Sequence, residues 1–228
     1  IVGGQQSQAF AYPFMVFVTD QRQQCGGTIV GRNLVVTAAH CIGSRNPSEY
    51  RVVGHRHNLQ TDAGSERAVT FQVKQVVVHP SYNTQNFDND IALLVLNNDN
   101  PSAIQGADMD RMIQIDTQGP KEGGTTKVIG WGRTQGGGQT SPVLKETELR
   151  VLSGDQCSRM FGAFNPSYKI CAGAIRQGDS ACQGDSGGPL VSGNTLVGVV
   201  SHGAPNCNGP ASVYTRVANY ANWINQYR

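Results

Sequence analysis

A serine hydroxyl is a weak nucleophile at neutral pH unless a neighbouring base takes its proton as the new bond forms. The stretch Gly184-Asp185-Ser186-Gly187-Gly188-Pro189 presents such a hydroxyl among glycines, and two stretches upstream hold groups that could serve it. Thr37-Ala38-Ala39-His40-Cys41 ends a strand-like run on a histidine, whose ordinary pKa of about 6.5 suits both taking up a proton and returning it. Asp88-Asn89-Asp90 opens a second such run, so both side chains sit at element ends from which a shared cleft is within reach. Seen singly, a histidine beside a cysteine, a turn aspartate and a turn serine are ordinary structural residues, and only their combination suggests catalysis. Gly184 to Gly188 also matches the Gly-x-Ser-x-Gly nucleophile elbow of α/β-hydrolases. That fold needs an acid and then a histidine after its serine, and residues 187–228 contain no Asp or Glu, which excludes it.

The elements that must hold these residues are short and β-rich. Runs at Phe14 to Val18, Thr28 to Val30, Leu34 to Thr37, Arg51 to Val53, Val69 to Val73, Val76 to Val78 and Ile91 to Leu96 lie between turn signals. After a polar bridge from Asn97 to Gly124 they resume at Thr126 to Ile129, Glu146 to Leu152, Leu190 to Val191, Leu196 to Val200 and Ser212 to Val217. With 28 Gly and 10 Pro as punctuation, this spacing predicts a barrel or sandwich. Val69 to Val73 alternates as a half-buried antiparallel strand should. The one convincing helix lies at the end, where Val217, Tyr220, Ala221 and Ile224 share a face. No internal repeat is visible, and Arg133 to Pro142, with three successive glycines, has the composition of a mobile loop.

A chain of 228 residues is one large all-β domain or two fused barrels, and at this size roughly 70% of the unfolded surface is buried. Charged residues make up 15% and the net charge is +2 without any Lys or Arg run, so neither a nucleic acid nor a membrane surface is an expected partner. The longest apolar run, Ile91 to Leu96, falls far short of a bilayer span. Ile1-Val2-Gly3-Gly4 lacks the features of a signal peptide and reads as a processed start. Six cysteines without a Cys-x-x-Cys pair predict three disulfides in a secreted, extracellular protein and leave their connectivity open. Each possible Asn sequon, at Asn46, Asn100 and Asn165, is blocked by a following proline. His55-Arg56-His57 has strand-like ligand spacing but no clear third ligand, so a solvated loop is expected there.

Thr37 to Cys41, Asp90-Ile91-Ala92-Leu93-Leu94 and Gly184 to Pro189, in that order, resemble the chymotrypsin/trypsin-type serine endopeptidases. The resemblance covers the whole chain, from Ile1-Val2-Gly3-Gly4 through Gly130-Trp131-Gly132 to Val213-Tyr214-Thr215-Arg216-Val217. It implies an all-β fold of two antiparallel Greek-key β-barrels with the active site in the cleft between them, plus a C-terminal α-helix. Residues 1–228 would be a single peptidase unit, with barrels at 15–110 and 120–216 and the helix at 217–228. By the same resemblance Ser186 is the nucleophile, His40 the general base and then acid, and Asp90 the group that fixes the imidazole tautomer. The N–H groups of Gly184 and Ser186 would form the oxyanion hole. Asp185 would pair with the α-amino group of Ile1, freed by cleavage of a zymogen. The disulfides would be Cys25 with Cys41, Cys157 with Cys171, and Cys182 with Cys207.

The family's specificity pocket maps onto Ser180, Ala181, Ser201, His202, Gly203 and Ser212. Its floor residue, two places before Cys182, is Ser180, and a neutral floor implies cleavage after large apolar or aromatic residues. The alternative treats Ala181 as an insertion, puts Asp179 at the floor and implies cleavage after Arg or Lys. His202 departs from the family's usual Trp and Ser212 from its usual Gly. In the family's calcium loop the first acidic ligand is replaced by the basic segment at His55 and only Glu66 remains, so no metal and no cofactor are expected. The expected partners are peptide and protein substrates and protein protease inhibitors, with the chain a monomer. A reading from another class, an inactive protease-like binding protein, would be expected to have lost His40, Asp90 or Ser186, and all three are present.

Overall fold

β-Branched side chains crowd a helix and pack well on a pleated surface, and the valine-rich runs of this chain form strands. The structure, a computed structural model, describes residues 1–98 and 113–228. The blocked sequon at Asn100 and the expected end of the first barrel at 110 lie outside the described residues. In the first part the strands are β1 Gln5–Gln6, β2 Met15–Thr19, β3 Gln24–Gly31, β4 Leu34–Thr37, β5 Arg51–Gly54, β6 Val69–Phe71, β7 Val73–Val78 and β8 Ala92–Leu96. In the second they are β9 Gln114–Ile115, β10 Thr125–Gly130, β11 Lys145–Val151, β12 Lys169–Ala174, β13 Pro189–Ser192, β14 Thr195–Gly203 and β15 Ala211–Arg216.

β2, β3 and β4 are successive antiparallel neighbours and β5 returns beside β2, which is the strand order of a Greek key. β8 and β7 extend the sheet beyond β4, while β6 lies at the opposite edge beside β5. Gln72 alone separates β6 from β7, so the two edges meet and the sheet is curled into a barrel. The run Val69 to Val73, which alternates like one strand, is therefore cut at the barrel seam. In the second part β10, β11 and β12 are neighbours, β13 returns beside β10, and β12 pairs with both β11 and β15 to close the ring. The two barrels thus repeat one strand order, although no repeat is visible in the residues.

The apolar stripe at the C-terminal end is buried as expected, with Val217, Tyr220, Ala221 and Ile224 each at most 5% exposed. It forms a 3₁₀ turn, Val217–Tyr220, followed by a short α-helix, Ala221–Asn225, and not one continuous helix from 217 to 228. Arg216 supplies no side-chain cap to its first turn. An earlier helix, Gly154–Met160, has no long apolar period to announce it; it is set by a capping box in which Ser153 and Gln156 bond each other's backbone N–H. Two main apolar clusters fill the molecule. The first joins the β2, β3, β4 and β8 interior to Trp131, Val199 and the C-terminal turn. The second lies inside the other barrel, where Ile1 is fully buried among Val128, Leu149, Leu190 and Tyr214. Burying such a side chain contributes about 1.5–3 kcal/mol.

Candidate active site

His40 sits on a single 3₁₀ turn, Ala39–Cys41, directly after β4, and the disulfide Cys25–Cys41 ties that turn back to β3. Asp90 immediately precedes Ile91 and β8, the antiparallel neighbour of β4, so pairing of Thr37 with Ala92 brings the two residues together. Asp90 is fully buried and grips His40 twice: Oδ1 accepts from the His40 backbone N–H at 2.9 Å, and Oδ2 lies 2.7 Å from Nδ1. A carboxylate only accepts, so Nδ1 carries the proton and Nε2 is left as a base. The second barrel completes the cradle, with Ser201 Oγ donating to Asp90 Oδ2 at 2.7 Å and Thr215 Oγ1 to the Asp90 carbonyl at 2.6 Å. Burial pushes the Asp90 carboxyl up, but the hydrogen bonds and charge of His40 and the Ser201 hydroxyl outweigh it and hold the group below the ordinary carboxylate range.

Ser186 lies on a tight turn between β12 and β13. Its carbonyl accepts from Gly26 N at 2.8 Å, a direct backbone link to β3 of the other barrel. Gly187 has a φ of +82°, and a Cβ there would overlap Thr37 Oγ1 and Gly26 O, so no other residue fits against the first barrel. Ser186 and His40 line one cleft of about 210 Å³. No hydrogen bond joins Ser186 Oγ to the imidazole, and such contacts commonly tighten only when substrate is bound. Among the described residues, the N–H groups of Gly184 and Ser186 have no acceptor within the protein, which leaves both free to receive an anion.

Asp185, beside the serine, points into the second barrel. Its Oδ2 lies 2.7 Å from the Ile1 amine, and neither group has any solvent exposure. The same carboxylate accepts from Gly132 N at 2.8 Å and Cys182 N at 2.9 Å, while the amine also donates to Arg133 O at 2.9 Å. Three donors, one of them cationic, therefore satisfy a buried charge that would otherwise be prohibitive. A Cβ on Gly130 or Gly132 would overlap the Asp185 carboxylate, which accounts for both glycines around Trp131.

Ala181, Ser201, His202, Gly203 and Ser212 line the cleft, together with Gln183, Val200, Ala204 and the Cys182–Cys207 disulfide. Ser180 is not among the lining residues; it is buried, with its hydroxyl donating to the Ala181 carbonyl at 2.7 Å. Ser212 Oγ lies 2.7 Å from the buried Tyr214 OH. No carboxylate lines this cleft among the described residues. Asp179 faces away from it and accepts from Gly4 N at 3.2 Å and Thr147 Oγ1 at 2.6 Å.

Two cleft neighbours escape a reading of the residues alone. Phe87, with a φ of +60°, stacks on His202 with ring centroids 4.9 Å apart and meets His40 edge-on at 5.8 Å. Lys169, on β12, extends its buried ammonium to the Asn86 and Ala163 carbonyls and to Asp88 Oδ1 at 3.1 Å. A buried cation of the second barrel thus pins the loop that carries Phe87 and Asp90. The Ser201 proton goes to Asp90, so His202 Nδ1 donates to Ser201 Oγ at 3.0 Å, and the His202 pKa is pushed down to about 4 by burial and then by the Lys169 charge.

The basic segment near His55 has its own logic. Arg56 Nη1 lies 3.0 Å from Glu66 Oε1, and Nη2 donates to the Thr61 carbonyl at 3.1 Å and the Asn58 carbonyl at 3.3 Å. The guanidinium occupies the oxygen cage that a hard cation would need. His55 stacks on Phe10 and bonds the Glu66 carbonyl, whereas His57 meets Gln6, so the two histidines diverge. Cys157 pairs with Cys171, linking the helix Gly154–Met160 to β12.

Two curled β-barrels, a carboxylate–imidazole pair and a serine in one cleft define a serine peptidase. The trypsin family model matches residues 1–224, and the chain belongs to this family of chymotrypsin-like serine endopeptidases. It is 36% identical to cathepsin G of Mus musculus over 228 residues, covering 98% of this chain and 84% of that one. It is 35% identical to trypsin of Saccharopolyspora erythraea over 96% of this chain and 94% of that one. Among solved structures it is similar to neuropsin, a serine protease expressed in the limbic system of mouse brain, with a TM-score of 0.86, 30% identity and 99% of both chains covered. The family acts on peptide substrates and is inhibited by protein inhibitors. No helix among the described residues is long and apolar enough to cross a membrane.

Proposed function

We propose that the chain is a secreted endopeptidase that cleaves after large apolar or aromatic residues through an acyl-enzyme on Ser186. His40 Nε2 takes the Ser186 proton as Oγ attacks the scissile carbonyl, and the imidazolium then protonates the leaving amine. Asp90 keeps Nδ1 protonated and stabilises the charged ring, while Gly184 and Ser186 N–H groups receive the oxyanion. Water repeats the sequence on the acyl-enzyme. The free amine of Ile1, generated from a zymogen, holds Asp185 and with it the turn that presents the oxyanion donors. The fully buried amine–carboxylate pair supports this role.

The observation that carries the specificity is the absence of a carboxylate, among the described residues, from the cleft lining, with Asp179 turned to Gly4 and Thr147. A substrate Arg or Lys entering there would leave its charge without a partner, whereas an apolar side chain would not. Peptide substrates differing only at the residue before the scissile bond, Phe, Leu, Ala or Arg, test it. Phe or Leu is expected to give the highest kcat/KM; a preference for Arg of about tenfold, or 1.4 kcal/mol, contradicts the reading.

A further inference from the structure

Asp179 is next to the cleft in sequence and absent from it in space. Its carboxylate serves the N-terminal segment: Oδ2 accepts from the backbone of Gly4 at 3.2 Å and is oriented by the Thr147 hydroxyl at 2.6 Å. Between this contact and the Ile1 amine, Val2 and Ser180 exchange both backbone hydrogen bonds, at 2.7 and 3.1 Å. Gly3 and Gly4 have φ values of +70° and +63°, and a Cβ on Gly3 would overlap Asp179 Oδ1. The two glycines therefore let the chain wrap the carboxylate.

We propose that Asp179 is a positioning residue, a second latch that keeps the Ile1–Gly4 segment docked. This rests on the reading that a docked Ile1 amine is needed for activity. The physical reason is conformational entropy. A segment held only at its amine and followed by two glycines has many undocked states open to it, and docking is a local equilibrium separate from global unfolding. An ionised acceptor at Gly4 fixes the far end, and Ser180, paired to Val2 between the two anchors, passes the constraint to the wall residue Ala181. The other charged groups around the adjoining cavity are Lys127, Glu146, Glu148 and Arg176. Lys127 and Glu146 are paired with each other at 2.8 Å, and Asp179 accepts from an amide and a hydroxyl.

The test uses the activated chain with a free Ile1. Three quantities are read: the rate of Ile1 carbamylation by cyanate at neutral pH, the rate of Ser186 inactivation by a sulfonyl fluoride, and the ratio of kcat/KM for Phe and Arg substrates. Asp179→Ala should raise carbamylation about tenfold, as expected for loss of a hydrogen bond to a charged group, slow the Ser186 reaction, and leave the ratio unchanged. Asp179→Asn, which keeps an acceptor for Gly4, should fall between. Thr147→Val should shift carbamylation the same way by a smaller factor, and it carries the test if Asp179→Ala does not fold. Wild-type carbamylation in these variants overturns the proposal, as does an altered Phe/Arg ratio without faster carbamylation. Failure of the underlying reading looks different: a wild-type chain with Ile1 fully carbamylated would keep its activity.

Discussion

Numbering the strands within each barrel, with β6 and β7 counted together, both follow the spatial order fourth, first, second, third, sixth, fifth. In both, the connection from the third strand to the fourth reaches the cleft. In the first barrel that connection carries His40, after β4; in the second it carries Ser186, after β12. The two connections are built differently. The first is one 3₁₀ turn anchored by a disulfide to β3, and its histidine is gripped by Asp90 from the neighbouring strand. The second is a glycine-rich turn whose Asp185 is paired with a remote partner, the Ile1 amine. A rigid connection suits a base that must keep one tautomer, whereas a turn of free N–H groups suits an oxyanion and gains its shape from elsewhere.

If this division is right, removing the reacting group from either barrel is equally damaging. Ser186→Ala and Asp90→Asn should each lower kcat by on the order of 10⁴ or more, the first with little change in the unfolding midpoint. A small loss for Asp90→Asn would break the claim that the first barrel acts by fixing the tautomer. Lys169 tests the dependence of one barrel on the other. Lys169→Met leaves Asp88 and two carbonyls without their buried cation, and chemical denaturation should show a loss of about 3 kcal/mol. Reduced kcat should accompany it, because the loop carrying Phe87 and Asp90 is released; Lys169→Arg should restore part of both.

Arg56 belongs to the first barrel alone. Arg56→Gln should cost about 1–3 kcal/mol of stability by opening its oxygen cage while kcat/KM at 25 °C stays within a factor of about two. A large activity loss there would show that the cage reaches the cleft. The smallest effect concerns His202. Its folded pKa is depressed to about 4, so the folded state binds fewer protons than the unfolded chain between that value and the ordinary value of about 6.5. Stability is therefore lost as pH falls through this window. His202→Phe should flatten that part of the denaturation midpoint against pH; an unchanged slope would contradict the shift. Asp90, whose pKa is held down, acts in the same direction at lower pH, and its contribution disappears as the carboxylate protonates below about 4.

The residues facing the cleft were legible in proportion to how local their causes are. His40, Asp90 and Ser186 stand in short motifs whose neighbours, the disulfide, the strand start and the glycines, prepare each one. The helix Gly154–Met160 was also signalled locally, by Ser153 and Gln156, but a capping box without an apolar stripe is easily passed over. Several features that depend on a distant partner were not legible. Gln72 reads as part of a strand until the barrel closes on it. Ser180 counts as a floor residue along the chain, and only the fold shows its backbone pairing with Val2. Lys169 and Phe87 acquire their roles only when the barrels meet: Lys169 is far from every reacting residue in the chain, and Phe87, three places before Asp90, finds His202 of the other barrel only in the fold.

The central claim is that a nucleophile of the second barrel is activated by a base held in the first. Labelling with an organophosphonate, followed by peptide mass spectrometry, tests it most directly. The account predicts a single covalent adduct, on Ser186, formed rapidly by the wild-type chain and slowed by at least about a thousandfold in His40→Ala. An adduct on another residue, or labelling of Ser186 at the same rate without His40, would contradict it.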